Sequence, residues 1–162
     1  MRLLIIKLVT AALAASIFAS TSFGAGQPVT KDQAVAMVKS AAAFIREQGP
    51  EKAYAEIADR SGRFVDRELY IVVLGLDGRV LAHGADRDLI GTNQAQAKDI
   101  DGKLFVQERI ELAKKQATFW QNYQAKNPVS NDVQPKSTYC ERLNDTVVCG
   151  GVYAPLDPPG GC

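Results

Sequence analysis

The stretch Leu69–Gly84, LYIVVLGLDGRVLAHG, limits what this chain can fold into more than any other. Tyr70, Val72, Leu74 and Leu76 alternate with Ile71 and Val73, and a period of two in β-branched and aromatic residues predicts a strand. Asp77-Gly78 follows, a dipeptide that accepts positive φ at both centres of a tight hairpin turn. Arg79–Gly84 then returns as a second strand. A two-residue turn sets Leu76 opposite Arg79, Leu74 opposite Leu81 and Val72 opposite His83. The single histidine of the chain therefore sits on a strand, on the face of Leu74 and Leu81.

The first residues do not belong to that fold. Arg2 and Lys7 precede a largely apolar run, Leu8–Ala19, that is too short to span a bilayer comfortably. Small residues and Ser22-Phe23-Gly24 follow, so residues 1–24 read as a secretory signal peptide. These residues hold two of the 19 basic groups and none of the 18 acidic ones, so the remainder has a net charge of −1. That balance offers no basic stripe for nucleic acid. What remains is long enough for one domain with one core.

Thr30-Lys31-Asp32-Gln33 has the form of a capping box. Behind it Ala34, Met37, Val38, Ala41, Phe44 and Ile45 recur at three and four, predicting a long amphipathic helix. Gly49-Pro50 ends it, and Pro50 opens a short helix over Glu51–Asp59, because the first helical position needs no N–H. Asp99-Ile100-Asp101-Gly102 predicts a turn capping a third helix, Lys103–Gln116, whose buried stripe is Phe105, Val106, Ile110 and Ala113. Its acidic spacing partly fits a calcium loop, but Ala97 stands where the first carboxylate is needed. Thr118–Lys126, Lys136–Arg142 and Thr146–Tyr153 predict three further strands, and the tail Ala154–Cys162 is irregular. Helices between two hairpin-rich groups of strands make an α+β fold on an antiparallel, five-stranded sheet.

Three cysteines in an exported chain invite pairing. With Asn144-Asp145 as the hairpin tip, Cys140 faces Cys149 at a non-hydrogen-bonded pair, where Cα atoms approach to about 4.5 Å. That separation suits a disulfide. Cys162 is left over, free or joined to another cysteine, including one in a second chain. The same register sets Lys136 opposite Tyr153 and Thr138 opposite Gly151. A lysine beside tyrosines, with Gly150 and Gly151 leaving room, suits a small organic anion. With one histidine, no G-x-S-x-G and no C-x-x-C, little supports a hydrolase or a two-histidine metal site, and no cofactor is expected.

Several ordered matches bear a resemblance. Gly49–Tyr54, Phe64–Tyr70, Val80–Gly84, Leu89–Asn93, Asp99–Phe105, Tyr123 through Asn127-Pro128, Pro135–Tyr139 and Gly150–Tyr153 resemble the single Cache domains of bacterial extracytoplasmic sensors. The resemblance covers about residues 30–153. It implies a long N-terminal helix on a PAS-like sheet, with a pocket between one sheet face and the loops over it. The implied ligand-binding domain is 25–153, in the periplasm or secreted, without enzymatic activity. It implies His83, Trp120, Tyr123, Lys136 and Tyr153 as ligand contacts and a small ligand, often a short carboxylate. The implied partner is a membrane chemoreceptor or histidine kinase. Relatives usually continue into a membrane helix and an output domain. The expectation here is a free-standing module that presents its ligand to a partner, with a ligand-free interaction domain as the alternative.

Overall fold

The computed structural model describes residues 28–154. The expected signal peptide, Cys162 and the tail after Ala154 lie outside the described residues. Helix α1, Lys31–Gln48, begins at the expected capping box: the Thr30 hydroxyl accepts from Gln33 N at 3.2 Å, and the Gln33 side chain accepts from Thr30 N at 2.8 Å. Gly49, at φ 80°, ends α1 and hands the chain to Pro50 at the start of α2, Pro50–Ile57. The strands are β1, Val65–Asp66; β2, Leu69–Gly75; β3, Val80–His83; β4, Thr118–Lys126; β5, Val133–Leu143; and β6, Thr146–Tyr153. Helix α3, Phe105–Lys115, lies between β3 and β4. All pairings are antiparallel, in the order β1-β2-β6-β5-β4, with β3 also on β2. The five expected strands form, and the two-residue β1 adds a sixth at the edge; it is too short to show a period.

Helix α1 packs on one sheet face. Val38, Ala41, Ala42 and Ile45 join Ile71, Val73, Tyr139, Leu143 and Val148 in the main core. The approach is close because β6 has no side chain at Gly150, where a Cβ would stand 3.1 Å from Val38 Cγ2 and 3.0 Å from Ile71 Cδ1. Helix α3 covers part of the other face: Val106 and Ile110 meet Leu74 and Val80, and Ala113 meets Phe119 and the two cysteines.

The central hairpin corrects one detail and keeps another. Gly75 N donates to Arg79 O at 2.8 Å, so the loop is Leu76-Asp77-Gly78, with Gly78 at φ 88°. Three-residue loops of this kind need a left-handed last residue. Leu76 leaves the strand because its N–H bonds Asp145 O in the β5–β6 turn at 2.9 Å. Leu74 therefore pairs with Val80 rather than Leu81. A bulge at Leu81 then restores the register, and Val72 faces His83 as expected. Leu81 packs with the α1 core instead of sharing a face with His83.

The β5–β6 register is the expected one, from Leu143↔Thr146 to Lys136↔Tyr153. Cys140 and Cys149 form the disulfide, their Cα atoms 4.2 Å apart. Strand β5 starts three residues earlier than expected, because Gln134 and Pro135 pair with β4 beyond the end of β6. Asp99 does not cap α3. Its carboxylate accepts from Asp101 N and Lys103 N, both locally, and from Gln124 N at 3.0 Å, pinning the loop before α3 to β4.

Candidate ligand-binding site

Side chains alternate across a sheet, so the face away from α1 receives Tyr70, Val72 and Leu74 from β2, Gln121 and Tyr123 from β4, Lys136 and Thr138 from β5, and Gly151 and Tyr153 from β6. Lys136 is the cross-strand partner of both Tyr123 and Tyr153. It is 3 % exposed. Its ammonium donates to the Tyr153 hydroxyl at 3.2 Å and stands 4.0 Å from the Tyr70 ring centroid and 4.6 Å from that of Tyr153. The Tyr70 and Tyr153 hydroxyls are 3.3 Å apart, and Tyr153 also donates to Lys126 O. Burial, then the neighbouring Tyr70, pushes the Tyr153 phenol well above its ordinary value. Gly151 makes this arrangement possible: a Cβ there would lie 2.5 Å from Thr138 Oγ1 and 2.9 Å from Lys136 Cε.

A second cation reaches the same face from α3. Arg109 is 3 % exposed and donates through Nε to the Gln121 side chain at 3.0 Å. Its guanidinium lies over the Tyr123 ring, 5.2 Å from the centroid, and Phe105 stacks on Tyr123 with centroids 4.6 Å apart. Arg109 Nη2 has no hydrogen-bond partner, and neither does Thr138 Oγ1; both are buried. Buried polar atoms in folded proteins are nearly always bonded, so two without a close partner on one face are exceptional; both residues neighbour the Tyr123 phenol. Burial raises the Tyr123 phenol, but the Lys136 and Arg109 charges outweigh it and bring it down to about 8.

His83 Nδ1 accepts from Asp86 N at 2.8 Å and Ala85 N at 3.2 Å. A neutral ring accepting there has its proton on Nε2, so its remaining capacity is to donate. Burial, with help from Lys136, lowers the imidazole to about 4, so it is neutral near pH 7.

These residues line two hollows. An inner cavity of about 480 Å³ is walled by Tyr70, Val72, His83, Phe105, Arg109 and Tyr123. An outer one of about 560 Å³ is walled by Lys31, Lys103, Tyr123, Lys136 and Tyr153. Tyr123 stands in both walls. Of the five expected contacts, His83, Tyr123, Lys136 and Tyr153 are brought together. Trp120 is not: it lies on the α1 side, 39 % exposed, tilted against Tyr139 and beneath the Lys31 ammonium. Arg109, Tyr70 and Thr138 were missed. Arg109 left a signal, since it falls at helical spacing among Val106, Ile110 and Ala113, a charge inside a buried stripe.

A family model described as "Single Cache domain 2" matches residues 26–154. The chain belongs to that family. Solved structures share the Cache fold. A methyl-accepting chemotaxis protein from Vibrio parahaemolyticus is 21% identical, with TM-score 0.66 over 76% of this chain and 87% of that one. A Cache chemosensory domain described for carboxylic acid recognition is 20% identical, with TM-score 0.67 over 76% and 92%. The periplasmic sensor domain of a chemotaxis protein is 25% identical, with TM-score 0.59 over 76% and 89%. Comparison with curated proteins found no match. Among the described residues, no cluster of His, Cys, Asp and Glu could hold a metal, and no helix is long and apolar enough to cross a membrane.

Proposed function

We propose that this Cache domain captures a short organic carboxylate outside the cytoplasm and presents it to a membrane chemoreceptor or histidine kinase. The observation that supports this reading most is the pair of buried cations, Lys136 and Arg109, neither of them ion-paired to an Asp or Glu among the described residues. Burying an unpaired charge is strongly unfavourable, and a bound anion offsets it. Donors among the lining groups are the Lys136 ammonium, Arg109 Nη2 and, by its tautomer, His83 Nε2, with the Asp86 and Asp99 carboxylates also in the wall of the inner hollow. The tyrosine and phenylalanine rings would cover the hydrocarbon part of the ligand. The carboxylic acid named for one structural relative fits this chemistry.

In this reading His83, Tyr123, Lys136 and Tyr153 are ligand contacts, joined by Arg109, Tyr70 and Thr138, and Trp120 is not one. The ligand-free alternative is disfavoured by the two orphaned polar atoms and the open inner cavity. Calorimetry of the purified protein against short carboxylates, amino acids and amines tests the proposal. Carboxylates are expected to bind, and Lys136→Met is expected to weaken them at least tenfold while leaving the fold intact. Silence across the carboxylates, or unchanged affinity in the variant, refutes it.

A further inference from the structure

Strand β4 is an edge of the sheet, yet two of its backbone groups are taken by side chains from the β3–α3 connection. The Asp99 carboxylate accepts from Gln124 N at 3.0 Å, and the Lys103 ammonium donates to Asn122 O at 2.6 Å. They fill places that a further strand would take.

The connection is fastened at both ends. Gln94 N donates to Gly78 O at 2.8 Å, and Ala97 packs against Leu74, Val80, Val106 and Ile110. At the far end Phe105 O accepts from Gln121 Nε2 at 2.7 Å. Residues 98–104 lie between these anchors. None of them joins a hydrophobic cluster among the described residues, and Ile100 is 74 % exposed. The backbone bonds within the stretch are local, from Asp99 N to Lys103 O and from Gly102 N to Asp99 O. Apart from an ion pair between Lys103 and Glu108 of α3, the two bonds to β4 hold it down. A segment with so little apolar packing opens at low free energy.

Opening here has a consequence. Lys98 and Asp99 stand in the wall of the inner hollow, Asp99, Asp101 and Lys103 in that of the outer one, and Asp99 and Gln124 belong to both. The two oxygens of Asp99 have separate tasks. Oδ1 accepts from Asp101 N and Lys103 N and shapes the turn, whereas Oδ2 accepts from Gln124 N and ties the turn to the sheet. The Gln124 amide is the foremost cause that lowers the Asp99 carboxyl from its ordinary value.

We propose that residues 98–104 form a gate between the two hollows, latched to β4 by Asp99 Oδ2 and able to open between its fixed ends while the sheet stays folded. The gate does not depend on which molecule the inner hollow takes. Asp99→Asn keeps one acceptor for the turn and turns an amino group towards Gln124 N. Native-state hydrogen exchange, read residue by residue by NMR on the purified chain, is expected to show the Gln124 amide exchanging about tenfold or more faster in this variant. The Val73 and Val148 amides, inside the sheet, should keep their rates. Lys103→Met removes the second tie and leaves the Lys98–Asp99 peptide bond unaltered. Brief trypsin digestion of the folded chain, with the cuts placed by mass spectrometry, is expected to cleave this variant after Lys98 several times faster than the wild type. If circular dichroism shows Asp99→Asn unfolded, the Lys103→Met digestion decides alone. Unchanged Gln124 exchange in folded Asp99→Asn, or unchanged cleavage after Lys98 in Lys103→Met, overturns the latch. An equal acceleration at Val73 and Val148 means that Asp99 supports the whole fold, and it overturns the gate.

Discussion

Along β5, Tyr139 and Leu143 face α1, while Lys136 and Thr138, on the same strand, face the other way. The first side is finished by hydrocarbon: Ile71, Val73 and Val148 are fully buried against Val38, Ala41 and Ala42. The second contains Lys136, Thr138, Gln121, His83 and Arg109, all buried and polar, with two atoms left unbonded. One sheet thus holds a face complete in itself beside a face that lacks partners. The difference teaches where stability resides. Apolar burial on the α1 side supplies the favourable free energy. That margin lets the other side keep the buried charges of Lys136 and Arg109 without an Asp or Glu ion-pair partner among the described residues. Breaks of local rules concentrate at functional sites in this way.

The comparison can be broken by perturbing each face separately. Ile71→Ala should have the largest effect, a loss of about 2–5 kcal/mol from a fully buried aliphatic position. Urea unfolding would measure it, and calorimetry on the folded fraction should show carboxylate affinity unchanged. A large affinity loss would mean that the two faces are not separable.

Next comes the pH dependence of the polar face. His83 is lowered to about 4 in the fold, chiefly by burial, against an ordinary value of 6.5. The unfolded imidazole therefore takes up a proton first as pH falls. Stability due to this residue is present above about 6.5 and declines towards pH 4, by up to about 3 kcal/mol. Urea midpoints between pH 4 and 7 should separate the wild type from His83→Gln, which lacks this slope. Parallel curves would place the imidazole in water.

The smallest effect should come from Trp120→Ala. Trp120 is exposed, and its main contact is Tyr139 on the helix side, so about 1 kcal/mol of stability is at stake. Ligand affinity should not move, and a clear loss would return Trp120 to the site.

Much of the fold could be read from local pattern. The β5–β6 register follows from one turn, Asn144-Asp145, because a hairpin loop sets every pair behind it, and the disulfide and the Lys136–Tyr153 pair come with it. The β2–β3 hairpin was harder. A longer loop and a compensating bulge cancel at His83, and both depend on Leu76 bonding the distant Asp145 backbone. That Trp120 lies on the opposite face from Tyr123 was legible in the sequence itself, since residues 120 and 123 are three apart on one strand and cannot share a face.

The sequence by itself determined the alternation, the cap of α1, the β5–β6 turn and the cysteine pairing, since each depends on residues close along the chain or locked together by one hairpin. Only the tertiary structure decided which side of the sheet α1 would close. It alone brought Arg109 down onto Tyr123 from a helix, across from Lys136. Period two identifies two faces but not their neighbours. Those are chosen by packing between segments far apart in sequence, and there the unpaired charges of this domain came together.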